Sequence, residues 1–146
     1  MYRATLCLTL FLALPFWAQA QSAIQLSHIE ANVPEATAFE VVLRRDMLAH
    51  FKAGGLATAE RVDFELLREA PTQSGASYPK YYAWVKVSSR SGVLQQGAVR
   101  VAAIDKVRFE VTDFIAKSQV LQGGGTIEKV FPAALCPKIK EIAATP

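Results

Sequence analysis

The residues of this sequence best suited to binding a ligand lie on three predicted β-strands in the second half of the chain. They are two large aromatic residues and three cations, namely Tyr82, Trp84, Lys86, Arg100 and Arg108. Alternation of side chains along the strands places these five residues on one face of the predicted sheet and a row of valines on the other. Aromatic rings interleaved with cations form a surface that can bind an anionic or ring-bearing ligand.

The same residues also have a purely structural explanation. Aromatic residues such as Tyr82 and Trp84 commonly stabilise sheets by packing across strands, and the C-terminal helix or the N-terminal arm could cover them. The assignment of faces depends on strand register, which a single bulge near Gly97 would reverse. The sequence is therefore consistent with an exposed aromatic surface or with a second packed layer on this side of the sheet.

Other groups that could catalyse a reaction or bind a metal are scattered. His28 and His50, together with Cys136, fit no spacing of metal ligands. The triple glycine 123–125 lacks the Lys-Ser/Thr that follows a phosphate-binding loop. Acid–base catalysis by two carboxyl groups requires environments that shift their pKa values apart. The carboxylates of this sequence lie instead on predicted turns and solvent-facing strand positions: Asp63, Glu65, Glu69, Asp105, Glu110 and Asp113. The sequence thus predicts no metal and no cofactor, and it favours a non-catalytic protein over an enzyme.

Residues 1–20 have the pattern of a secretory signal peptide that is cleaved. Arg3 supplies the positive charge, residues 6–17 form an apolar run, and Ala18-Gln19-Ala20 places small residues at both positions that signal peptidase requires. The run is shorter than the roughly 20 residues of a spanning helix, and no second run follows. We therefore expect a periplasmic or secreted protein without a membrane span.

The remaining segment, residues 21–146, has the composition of a single globular domain. Removing 20 of the 146 residues leaves 126, and losing Arg3 lowers the net charge from +3 to +2. This balance and the absence of long blocks of like charge predict no nucleic-acid partner. Cys136 is then the only cysteine, which predicts either a buried thiol or an intermolecular disulfide in a homodimer.

An amphipathic helix is predicted from near Asn32 to about Ala53. Pro34 is typical of a first helical turn, and Gly54-Gly55 is typical of a helix end. Its apolar residues recur every four positions: Phe39, Leu43, Met47 and Phe51. For residues 21–33 the sequence predicts either a short strand or an arm that lies on the core.

Four strands with hairpin-length turns follow the helix. The predicted ranges are Arg61–Glu69, Tyr81–Val87, Val93–Ile104 and Val107–Phe114. The segment Ser118–Lys129 is predicted to be a flexible connection, and Pro132–Ala143 a short helix. The predicted fold class is α+β, with an N-terminal helix packed on a four-stranded antiparallel sheet and a short C-terminal helix.

This order of elements resembles that of the cystatin fold and is similar to a reduced NTF2-like fold. The Gln-x-Val-x-Gly wedge of inhibitory cystatins is absent from the turn Ser88–Gly92, so the resemblance does not imply protease inhibition. The NTF2-like resemblance implies a pocket between helix and sheet. Gln95 would be its polar residue, because alternation places it on the same face as Val99 and Val101.

Three functions are consistent with these patterns. The first is an exported, non-catalytic module of the cell envelope that binds another envelope protein or an anionic or ring-bearing ligand through the aromatic face. The second is a small-ligand-binding protein or enzyme with an NTF2-like pocket. The third is an assembly subunit or homodimer joined through a sheet edge or Cys136. The first is favoured because no catalytic groups converge.

Overall fold

The fold is that of a computed structural model, which describes Ile24 and residues 26–146. The predicted signal peptide lies outside the described residues. Residues 26–32 are helical, so of the two alternatives predicted for residues 21–33, a short strand or an arm on the core, the strand is wrong. The buried Asn32 at its end donates to the His28 carbonyl at 2.8 Å and accepts a hydrogen bond from the Asp105 backbone N–H at 3.2 Å. The helical segment is thereby attached to a turn of the sheet.

The long helix α1 spans Ala36–Ala53. It begins after Pro34, slightly later than predicted, because Glu35 is the residue that precedes the helical backbone. Leu43, Met47 and Phe51 are buried along one side, as their spacing predicted.

Four strands form one antiparallel sheet in the order β1-β2-β3-β4. They are β1 (Arg61–Leu66), β2 (Lys80–Ser89), β3 (Gly92–Ile104) and β4 (Arg108–Ala116). The register shifts between Val87 and Ser88, and again between Arg100 and Val101. Neither shift interrupts the pairing of Tyr82 with Arg100 or of Lys86 with Gln96, so the predicted faces are retained there.

The face of the sheet that carries the valines packs against α1. The rings of Phe39 and Tyr81 meet edge to face at 4.9 Å, and those of Phe51 and Phe114 at 5.0 Å. The fully buried residues of this core are Leu43, Met47, Val85, Val87, Val99 and Ala103. We call this the first core. It contains the valines of the sheet and the apolar residues of α1, as the sequence predicted.

The C-terminal segment corrects a second prediction. Residues 118–129 were expected to be a flexible connection, but they contribute to two short helices, α2 (Lys117–Gln122) and α3 (Thr126–Val130). The glycines 123–125 between them have φ angles of 77°, 90° and 69°, a left-handed conformation that favours glycine. A 3₁₀ turn at Ala133–Leu135 then leads into α4 (Cys136–Ala144).

These C-terminal helices cover the second face of the sheet and form a second core. Its members come from the sheet, from α2, α3 and α4 and from the residues next to these elements, and they include Tyr82, Trp84, Ala98, Ile115, Val120, Ile127, Phe131, Cys136 and Ile139. The architecture is thus α+β with an antiparallel sheet between two helical layers. None of the described helices combines the length and apolar character that a membrane crossing needs.

Candidate functional site

The two aromatic residues of the predicted binding surface lie in the second core. Tyr82 is 4% exposed and Trp84 is 8% exposed. The Tyr82 ring lies 5.9 Å from that of Phe131, and its hydroxyl is 2.7 Å from the hydroxyl of Thr72. The exposed aromatic patch is therefore not found, because the C-terminal helices bury both rings. The structural explanation given by the sequence analysis is correct for Tyr82 and Trp84, because both rings pack beneath the C-terminal helices.

Arg100 is half-buried and connects the sheet to the C-terminal helices. Its Nε donates to Asp113 at 2.7 Å, and its Nη1 donates to the backbone carbonyl of Val130 at 3.2 Å. The guanidinium group is thus engaged by a charge-assisted bond to Asp113 and by a bond to Val130 at the end of α3. These contacts give Arg100 a role in positioning α3.

Lys86 and Arg108 are exposed but lie far from each other. Lys86 pairs with Gln96 on β3, whereas Arg108 pairs with Ile104, eight residues further along the same strand. Eight residues of extended chain span about 27 Å. The structure thus keeps the predicted residues on one face but does not bring them together as one exposed site.

The one cysteine and the two histidines weighed in the sequence analysis lie in separate places. Cys136 is a buried free thiol whose Sγ lies 3.6 Å from the Pro132 carbonyl. Burial, and secondarily the negative charge of Glu128, raises the pKa of this thiol, which disfavours the reactive thiolate. His28 contacts Asn32, while His50 lies against Phe51. Within residues 26–146, no three histidine, cysteine or carboxylate groups are arranged to hold a metal ion.

A cleft of about 380 Å³ lies where β3 extends beyond β4. β4 ends at Ala116, opposite Gly97, whereas β3 continues back to Gly92. Two apolar side chains of the cleft are exposed, Val93 by 48% and Leu121 by 57%. We call this cleft the β3 notch. Its remaining lining residues are Leu94, Gln95, Gln96, Ala116, Lys117 and Ser118.

The sequence analysis did not identify the β3 notch, although one signal for it was present. The predicted third strand, Val93–Ile104, is four residues longer than the predicted fourth strand, Val107–Phe114. Because paired strands advance at the same rise per residue, such a mismatch leaves one end of the longer strand unpaired. Leu121 was assigned to a flexible connection, so its position beside this end was not foreseen.

A second cleft, of about 320 Å³, lies between the end of α1 and the sheet. Gln95 lines it together with the aromatic residues Phe51 and Phe114, and His50 and Leu56 complete one wall. Gln95 pairs with Val87, whose side chain belongs to the first core, so it faces the helix as alternation predicted. We call this the helix–sheet cleft.

Comparisons with protein-family models, with curated proteins and with solved structures found no match to this chain. The resemblance to cystatin and NTF2-like proteins stays a prediction from the order of elements.

Proposed function

We propose that this chain is an exported, non-catalytic interaction module of the cell envelope. The proposal assigns residues 1–20 to a cleaved signal peptide and residues 21–146 to a single binding domain in the periplasm or outside the cell. Its partner is another envelope protein, and its contact surface is the β3 notch.

One observation carries this proposal, namely the pair of exposed apolar residues Val93 and Leu121 that face the same cleft. Both faces of the sheet are filled by side chains of the chain's own helices, so a ligand must be bound at an edge or an end of the sheet. Apolar residues grouped at a surface cleft typically mark an interaction site. The groups suited to catalysis lie apart from this cleft or in ion pairs, such as Glu65 with Lys138 at 2.8 Å.

The proposal is tested by chemical cross-linking of the full 146-residue chain in intact cells, followed by mass analysis. We expect the chain to begin at Gln21 and to be joined to one partner in a complex of defined mass. Val93→Lys and Leu121→Lys should each reduce that complex at least fivefold, because a charge is introduced into an apolar contact. Val41→Lys and Val107→Lys are matched controls, since both valines are exposed elsewhere.

Two results of this experiment contradict the proposal. The first is an uncleaved chain that still carries residues 1–20. The second is an equal yield of complex from all four variants, or no complex at all. Light scattering of the purified domain with and without reductant should give the mass of one chain in both cases, since Cys136 is buried.

The helix–sheet cleft favours a second candidate function, the binding of a small apolar ligand. Phe51 and Phe114 provide apolar contacts, and the half-buried Gln95 provides one amide that could orient a ligand. The cleft lies between helix and sheet and includes Gln95, as the NTF2-like resemblance predicts for a pocket, and it is open to the surface beside His50.

Fluorescence of anilinonaphthalene sulfonate distinguishes the two clefts. If the second candidate is right, Leu56→Glu should reduce the enhancement of dye fluorescence at least fivefold, because the added carboxylate repels the anionic dye from this cleft. Leu121→Glu, which places the same charge in the β3 notch, should leave it unchanged. The reverse pattern, or no enhancement with the unmodified domain, would exclude a small-ligand site here.

A further inference from the structure

The helix–sheet cleft is lined by apolar and uncharged polar groups. Its lining residues are His50, Phe51, Gly54, Leu56, Gln95 and Phe114. No lysine, arginine, aspartate or glutamate is among the described residues that line it. A charged group that moves from water into such a site finds no group of opposite charge to offset its lost hydration. The cleft therefore favours an uncharged ligand.

The aromatic wall of this cleft is fixed by packing inside the protein. The rings of Phe51 and Phe114 meet edge to face at 5.0 Å. Phe114 also lies over Gly97, where a Cβ atom would approach the ring to within 2.7 Å. Because both contacts hold the ring, Phe114 offers a preformed apolar surface to a flat ligand, and little side-chain entropy is lost on binding.

The amide of Gln95 is available for hydrogen bonding in the same cleft. Gln95 precedes Gly97 by two residues, so the two positions share a face of β3 and lie about 7 Å apart. Among the hydrogen bonds of the described residues, none involves the Gln95 side chain. A glutamine amide places an acceptor beside an N–H donor, so it can pair with a ring edge that carries a donor beside an acceptor. A lactam is a simple uncharged group with such an edge.

We propose that the helix–sheet cleft binds an uncharged planar ring that carries a lactam. This inference rests on the second candidate function and specifies the chemical class of its ligand. The ring packs against Phe114 and Leu56, the ligand N–H donates to the side-chain carbonyl of Gln95, and the Gln95 amide N–H donates to the ligand carbonyl. Gln95 thus determines specificity, because a ring without the lactam N–H leaves the Gln95 carbonyl without a donor.

The test is an NMR titration of the purified domain, residues 21–146, with 2-quinolone at pH 7.5, where an ordinary imidazole is largely uncharged. We expect saturable shifts centred on the side-chain amide of Gln95 and on the backbone amides of Leu56 and Phe114. N-methyl-2-quinolone has the same rings but lacks the donor, so it should bind at least fivefold more weakly. Quinoline-2-carboxylate should also bind at least fivefold more weakly, because it is charged.

Variants of two neighbouring glutamines provide the matched controls. In Gln95→Leu, the preference for 2-quinolone over N-methyl-2-quinolone should fall below twofold. The N-methyl compound should bind this variant as it binds the unmodified domain, which shows that the cleft is intact. Gln96→Leu should retain the full preference, because Gln96 pairs with Lys86 and lies on the side of the C-terminal helices.

Four results overturn the inference. They are no saturable binding of 2-quinolone, shifts centred outside the cleft, equal binding of the three compounds, and a preference that Gln95→Leu retains. If Leu56→Glu reduces the dye fluorescence as expected but 2-quinolone does not bind, only this inference fails and the second candidate function stands.

Discussion

Gly97 shows how one residue determines the approach of two strands at the inner end of the β3 notch. A Cβ atom at this position would lie 2.7 Å from the Phe114 ring and would also collide with the Ile115 carbonyl. Contacts this short cannot be relieved without moving the backbone of β4. Glycine is therefore required because the Phe114 ring lies directly over β3, as at other strand glycines that a neighbouring group approaches closely.

Gly97→Ala should destabilise the domain by about 1–3 kcal/mol, because overpacking in a core forces side chains and backbone to shift. Urea unfolding followed by circular dichroism measures this change. Gln96→Ala, at the neighbouring half-buried position, should remain within about 0.5 kcal/mol of the unmodified domain. Equal stability of Gly97→Ala and the unmodified domain would show that the two strands are further apart than described.

The ion pair between Glu128 and Lys140 should give the C-terminal layer a dependence on pH. The hydrogen bond from Lys140, at 2.8 Å, lowers the pKa of the Glu128 carboxyl in the folded chain. Because this pKa is lower in the folded chain, the carboxyl stabilises the fold at pH values above its pKa in the unfolded chain, which is about 4.3. This stabilisation is lost as the pH falls through the pKa of the folded chain. The pair is exposed, so the contribution is small.

Glu128→Gln should therefore be less stable than the unmodified domain at pH 6, and the difference should shrink as the pH falls below about 4.3. Thermal unfolding at a series of pH values measures this. Glu141→Gln serves as the control on the same layer, because Glu141 forms no ion pair with the described residues. A difference that is constant from pH 6 to pH 3 would contradict the role of the ion pair.

At the scale of elements, α1 does more than cover one face of the sheet. Its apolar side fills the first core, while its charged flanks reach the backbone at both outer edges through Arg44 and Asp46. One helix thus buries the sheet and limits pairing at β1 and β4.

Asp46→Ala should destabilise the domain by about 1–3 kcal/mol, because the Phe109 N–H loses a charged acceptor. It should also accelerate hydrogen exchange at Phe109 at least tenfold. Asp46→Asn should show smaller effects, since its amide oxygen can still accept the bond. Identical losses in the two variants would show that the hydrogen bond to the edge contributes nothing measurable.

At the scale of the molecule, the sequence predicted the features that depend on local periodicity. The spacing of Leu43, Met47 and Phe51 predicted α1, and the alternation around Val85 and Val99 predicted both the strands and the helix-facing side. The fold class was confirmed, and the placement of Gln95 on that side was correct.

The remaining features depend on tertiary contacts, which periodicity does not encode. α2 and α3 are short and interrupted by glycines 123–125, so packing against the sheet, and not propensity, stabilises them. The sequence analysis did not predict this helical layer, and it therefore assigned Trp84 to an exposed binding surface. The β3 notch was likewise missed, because it depends on where β4 ends and on where α2 places Leu121.

Both faces of the sheet are occupied by the chain's own helices, and for this reason we propose a binding site at the end of the sheet and not on a face. Trp84 is the only tryptophan in residues 21–146, and its fluorescence therefore reports on the second face directly. The decisive measurement is acrylamide quenching of the purified domain. We expect a quenching constant several-fold lower than that of the urea-unfolded chain. Equal constants would show an exposed Trp84, and would return the binding site to the aromatic face.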